Sequence, residues 1–224
     1  MAGCAALAGM AAGAAAWRAP AGAQAALQRW SRVQLVDEAM APLKAAALVA
    51  HRSHVFAYPF EGTPCFLLDL GREVPGAEIP LKGAAAPYAW PGGVGRGRSV
   101  VAYSAICPHT YTHPNPETAM IHYFGPDTPA TVSQRAGVVT CCVHGSTFEP
   151  GRGAVPLQPP AEIPLATVVL EWEETTDGLF AAGLLGRPVI EELFRSFPKA
   201  SRREVSGVTP VLELSRYTRA VIPC

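Results

Sequence analysis

The chain has 224 residues with 18 basic and 18 acidic side chains, so its formal net charge is zero. This balance argues against a nucleic-acid partner, which would favour a basic patch. Apolar residues make up 49% of the chain, and a chain of this length can bury the core of one domain with appendages. The 22 prolines and 21 glycines predict many turns between short strands.

Residues 1–30 form the first predicted segment, an apolar export signal or membrane tether. Up to Ala16 it is almost wholly Ala, Gly, Leu and Met, which is typical of the apolar part of an export signal. At about 16 residues the run is short of the roughly 20 that span a membrane. No basic residue precedes it, so we expect the signal to begin upstream of Met1. Lipidation at Cys4 and an Ala-rich helix are the alternatives.

Short β-rich runs dominate the next part, residues 31–186, and predict an all-β domain. They lie at residues 54–58, 64–70, 100–106, 137–142, 167–172 and 178–182. The last two runs read as a closing hairpin, and the Pro- and Gly-rich stretches 71–97 and 115–136 read as a long connection and a surface loop. Many short strands with turns between them predict an antiparallel β-sandwich or barrel.

Residues 187–224 are predicted to form a helix and a tail. Val189, Ile190, Leu193, Phe194 and Phe197 follow helical spacing. We expect this helix to cap the barrel; the alternative is an arm that docks a partner. The rest of the segment reads as a strand or an extended arm.

Two short motifs combine cysteine with histidine. Cys107 and His109 are spaced Cys-x-His around Pro108, and Cys141 and His144 are spaced Cys-x-x-His, followed by Gly145 and Ser146. Two thiolates and two imidazoles in this order fit a [2Fe–2S] cluster of the Rieske type, in which two His replace two Cys on one iron. A structural zinc site or a disulfide pair is the alternative, but the usual Cys-x-x-Cys and His-x-x-x-His spacing of zinc sites is absent.

The sequence around these motifs resembles Rieske proteins over roughly residues 53–186. The similarity is best to the small Rieske subunit of arsenite oxidase, a periplasmic partner of a molybdenum enzyme, and more distant to the Rieske subunit of cytochrome bc1 complexes. It is carried by residues 56–59, 63–65, 92–95 and 100–107 and by the two motifs. The resemblance implies a base β-domain with a cluster-binding subdomain at about 100–156. It also implies that Cys107, His109, Cys141 and His144 bind the cluster.

Departures from the family pattern concern the surroundings of the cluster. Many Rieske proteins join the two loops by a disulfide, but Thr112 and Val143 occupy those positions, and Cys142 has no evident partner in the sequence. The resemblance implies that Ser146 donates a hydrogen bond to a bridging sulfide. Phe148 replaces a family Tyr that donates to a cysteinyl sulfur, so we expect a lower potential than that of the bc1-type protein. Pro108 and Gly145 are the other residues predicted beside the cluster.

The resulting functional prediction is one-electron transfer within an oxidoreductase complex. No nucleophile–base pair or phosphate-binding loop is evident, so we expect an electron-transfer subunit rather than an independent catalyst. The expected partner is a redox protein: a molybdenum-enzyme large subunit, a cytochrome or a quinol-oxidising complex. Since a cluster protein folds before export, the resemblance implies a periplasmic location reached by a twin-arginine signal.

Two other functions stay open at this stage. One is a zinc-binding interaction module without redox activity. The other is a ferredoxin-like component of an oxygenase system, because ring-hydroxylating oxygenases also use Rieske sites. The residues after His144 are too few for the mononuclear-iron domain that such an oxygenase adds.

Overall fold

The computed structural model describes residues 27–80, 82, 87–187 and 189–224. Most of the predicted export segment, residues 1–26, lies outside the described part. The strands are β1 (Leu27–Val36), β2 (Ser53–Ala57), β3 (Pro64–Asp69), β4 (Ala77–Ile79), β5 (Tyr88–Trp90), β6 (Val100–Ser104), β7 (Thr118–Ala119), β8 (Ile121–Phe124), β9 (Val138–Cys141), β10 (Thr147–Glu149), β11 (Val155–Gln158), β12 (Thr167–Glu173), β13 (Gly178–Leu185), β14 (Val208–Pro210), β15 (Leu212–Glu213) and β16 (Ala220–Val221). The α-helices are α1 (Ile190–Ser196) and α2 (Leu214–Tyr217), and 3₁₀ turns lie at Ala45–Ala47 and Pro150–Arg152.

The largest sheet has the strand order β14-β1-β13-β12-β6-β3-β2-β15. Its neighbours are antiparallel except for the parallel pair β1 and β14. Strand β3, in the interior of this sheet, is buried on both faces: Phe66 and Leu68 lie in one apolar core, Cys65 and Leu67 in the other. Successive residues of a strand face opposite sides of the sheet. The nearly continuous apolar run of β3 therefore contributes to two large cores, one on each face of the sheet. The predicted all-β class is confirmed.

A second sheet, in the order β11-β10-β9-β8, carries the second Cys/His motif. Its buried residues Ile121, Val139 and Phe148 belong to the same core as Phe66 and Leu68 of the large sheet. One face of the large sheet therefore supports the region that contains both motifs.

The other face of the large sheet is covered by α1. Ile190, Leu193 and Phe194 are buried in the core that also holds Cys65 and Leu67, as expected for a capping helix. The closing hairpin that the sequence predicts before this helix is present as the antiparallel pair of β12 and β13. No helix in the described ranges is long and apolar enough to cross a membrane.

The prediction of a surface loop at residues 115–136 is wrong for the part that forms strand β8. Residues Ile121–Phe124 are all buried and form β8, which pairs with β9. The apolar side chains Ile121, Tyr123 and Phe124 drive this burial, and His122 is carried inside with them. The remaining turns of this segment do lie between strands.

Candidate metal centre

The two Cys/His motifs fold into loops with the same backbone hydrogen bonds. In the first loop the Cys107 N–H donates to Thr112 O at 2.8 Å, and the Tyr111 N–H donates to Cys107 O at 2.8 Å. In the second loop the Cys141 N–H donates to Ser146 O at 2.8 Å, and the Gly145 N–H donates to Cys141 O at 2.8 Å. Each loop therefore closes between its cysteine and the residues four and five positions later.

The fourth residue after each cysteine has a left-handed backbone. Gly145 has φ of +82°, and Tyr111 has φ of +58°. Glycine adopts this region at no steric cost, whereas a side chain is strained there. Tyr111 thus has a backbone conformation that favours glycine, and its side chain packs, partly buried, against the core that contains Cys65 and Leu67.

The two cysteines are buried and face each other. Cys107 and Cys141 are 0% and 1% exposed, and neither forms a disulfide. A hydrogen bond from the Cys141 thiol lowers the pKa of Cys107, and backbone N–H groups of His109 and Thr110 lower it further. The same shared proton, with burial, raises the pKa of Cys141. Two facing thiols with backbone N–H groups aimed at them form a site for metal-bound thiolates.

The two motif histidines lie on the outer side of the same place. His109 and His144 are both exposed, and their ring centroids are 5.0 Å apart in an edge-to-face arrangement. The loops therefore separate their side chains by type, with both sulfurs inward and both imidazoles outward. The four residues that the sequence predicts as ligands therefore lie in two neighbouring loops.

Ser146, one of the predicted neighbours, contacts Cys107. Ser146 is 0% exposed; its Oγ accepts a hydrogen bond from the Ala161 N–H at 3.0 Å, and its hydroxyl hydrogen-bonds Cys107. Phe148 is fully buried in the core that contains both cysteines. Thr112, at the family's disulfide position, hydrogen-bonds Cys141 through its side chain.

The four candidate donors divide into a thiol pair and an imidazole pair. Within residues 27–80, 82, 87–187 and 189–224, no three Cys, His, Asp or Glu side chains form a group that would hold one metal ion. A Rieske cluster has two irons, each with only two protein ligands, two sulfurs on one and two imidazoles on the other. One buried thiol pair and one exposed imidazole pair match that division.

The remaining histidines and Cys65 have other partners. His113 Nδ1 donates to Tyr111 O at 2.8 Å, and its ring packs edge-on against Phe197 at 4.9 Å. His122 Nε2 donates to Ile222 O at 3.0 Å. Cys65 lies in the opposite core, and its thiol donates to Tyr58 O at 3.1 Å.

The sequence did not reveal a disulfide beside the site. Cys142, next to the predicted ligand Cys141, is bonded to Cys224, 82 positions away. The only sequence signal was a second cysteine in the motif with no partner at family spacing.

One comparison with known proteins found a similar fold. No protein-family model matches the chain. Among solved structures the chain is similar to the soluble domain of the Rieske protein II (soxF) from Sulfolobus acidocaldarius. The two share 25% sequence identity and a TM-score of 0.50, over 69% of this chain and 78% of that one. The fold is therefore Rieske-like. The likeness supports the Rieske family and, at the general level, an iron–sulfur protein of electron transport.

Proposed function

We propose that the chain transfers single electrons through a Rieske [2Fe–2S] cluster held by Cys107 and Cys141 on one iron and by His109 and His144 on the other. The observation that carries this proposal is the pair of matching loops, which bring two buried thiols together beneath two exposed imidazoles. Such a cluster supplies one-electron redox chemistry, at roughly −150 to +300 mV.

The chain's own residues define how an electron enters and leaves. The cysteine side is enclosed by the core shared with Phe148 and Val139, which keeps water from the sulfurs. The exposed His109 and His144 rings form the edge that a redox partner reaches. The Ser146 hydroxyl and the backbone N–H groups near Cys107 favour added negative charge at the site, because hydrogen bonds to ligand sulfurs stabilise the reduced state.

We extend the proposal to the small subunit of a periplasmic oxidoreductase or of a quinol-oxidising complex. The resemblance to the arsenite oxidase subunit supports a molybdenum-enzyme large subunit as partner; a cytochrome is the other candidate. The Cys142–Cys224 disulfide supports export, because disulfides persist in oxidising compartments such as the periplasm. Residues 1–30 are the proposed signal or tether.

The test is a reversible redox titration of purified full-length protein with iron and sulfide analysis. We expect two irons, two acid-labile sulfides and one electron per chain. The variants Cys107→Ala, His109→Ala, Cys141→Ala and His144→Ala should each lose the cluster, whereas His113→Ala should keep it as the matched control. Retention of both irons with an unchanged spectrum in Cys141→Ala would contradict the ligand assignment.

A further inference from the structure

The Cys142–Cys224 disulfide lies inside the second ligand loop. Cys142 follows the proposed ligand Cys141 and precedes the proposed ligand His144 by two residues. A movement of Cys142 therefore displaces both ligands of this loop.

The other half of the disulfide belongs to residues 218–224, which we call the strap. Its β16 pairs in parallel with β7, and the Ile222 N–H donates to Ala119 O at 3.0 Å. His122 Nε2 donates to Ile222 O at 3.0 Å, and the Val132 N–H donates to Cys224 O at 3.1 Å. The strap's backbone hydrogen bonds to other described segments thus reach residues 116–132.

The second ligand loop is anchored to the same segment. The Cys142 N–H donates to Met120 O at 2.6 Å, one residue after the carbonyl that holds Ile222. Cys142 and Cys224 also pack together against the small buried cluster of Phe124, Ala130 and Val138. The disulfide therefore joins the strap to the ligand loop, and both are bound to segment 116–132. Thr112 and Val143, at the family's disulfide positions, provide no covalent link between the two ligand loops.

We propose that the Cys142–Cys224 disulfide is a redox-sensitive lock on the second ligand loop. With the bond intact, the strap holds the loop that carries Cys141 and His144 against segment 116–132. A dithiol breaks the S–S bond: two electrons and two protons pass to Cys142 and Cys224, which become thiols, and the dithiol closes into its own disulfide. The strap then keeps only its non-covalent contacts, and the loop opens more often. That this loop holds a cluster rests on the proposed function.

Both cysteines are only half-buried, so a small dithiol reaches them in the folded protein. The other cysteines of the described ranges, Cys65, Cys107 and Cys141, are free and buried. A dithiol added to the folded protein therefore has one disulfide to act on among the described residues.

The experiment is hydrogen exchange of the full chain with and without dithiothreitol, with mass spectrometry to confirm that the bond is broken. We expect exchange at residues 141–145 and 119–124 to rise by about tenfold or more after reduction, as local opening becomes easier. Cys224→Ser and Cys142→Ser should show the same rise without reductant, and the double variant should show no more. Cys224→Ser treated with dithiothreitol is the matched control and should not change further.

Cluster retention is the second readout. In the loaded protein, reductant should shorten the half-life of the cluster's visible absorbance by about fivefold or more in a chelator, and it should have no effect on Cys224→Ser. Unchanged exchange at 141–145 after proven cleavage would overturn the lock. If the chain never binds iron, the proposed function fails, but the exchange measurement still decides the lock.

Discussion

Phe148→Tyr tests whether the cluster faces the buried side of β10. Phe148 is 0% exposed and shares its core with Cys107 and Cys141. A tyrosine hydroxyl at this place must find an acceptor, because an unsatisfied buried hydroxyl costs about 1–3 kcal/mol. If a ligand sulfur accepts this hydrogen bond, the bond stabilises the reduced, more negative cluster more than the oxidised cluster.

The expected size follows from the strength of such a bond. If a hydrogen bond to a charged sulfur favours the reduced state by roughly 1–2 kcal/mol, the potential rises by about 40–90 mV, since 59 mV corresponds to a tenfold change for one electron. Protein-film voltammetry at fixed pH measures this shift. Phe148→Leu, which alters packing without adding a donor, is the control and should not raise the potential. An unchanged or lower potential in Phe148→Tyr would refute the placement of this residue beside a ligand sulfur.

Three further outcomes are expected. Gly145→Ala should destabilise the second loop by about 1–2 kcal/mol and weaken iron retention. The φ of Gly145 is +82°, and an added Cβ would lie 3.3 Å from Gln158 Nε2. Equal urea unfolding midpoints for the variant and the unchanged protein would contradict this. Ser146→Ala should lower the free energy of unfolding by about 1–3 kcal/mol, because it leaves the buried Ala161 N–H without its acceptor. The same variant should lower the reduction potential, and a raised potential would contradict the role of Ser146. Burial lowers the pKa of His122 in the folded protein. As the pH falls, this histidine therefore binds a proton in the unfolded chain before it does so in the folded one. Stability should therefore fall as pH drops below the unfolded value of about 6.5, and urea unfolding of His122→Asn should show a weaker fall.

The sequence predicted what depends on local pattern. The hairpin of β12 and β13 follows from two β-rich runs around a turn, and α1 follows from the spacing of Ile190, Leu193 and Phe194. Each predicted pair, Cys107 with His109 and Cys141 with His144, is close in the sequence, and the structure brings the two cysteines together and the two histidines together. The buried cysteines beneath exposed histidines then follow from two loops of the same shape.

The missed features depend on contacts between distant segments. The pairing of Cys142 with Cys224 spans 82 positions, and no spacing rule connects two such cysteines. The segment of strand β8 reads as a loop because prolines lie on both sides of a run of only four residues, which His122 interrupts. Its pairing with β9 makes it a strand. Strand β1 begins at Leu27, within the predicted export segment, because its partner β13 extends to Leu185.

The most direct test of the central proposal is pulsed EPR of the dithionite-reduced protein with and without ¹⁵N-labelled histidine. The ligand set predicts a rhombic signal with couplings to two histidine nitrogens that change on labelling. Both couplings should disappear together with the signal in His109→Ala and His144→Ala. A protein that contains iron but shows no labelled nitrogen coupling, or one that carries zinc and gives no signal, would contradict the Rieske assignment.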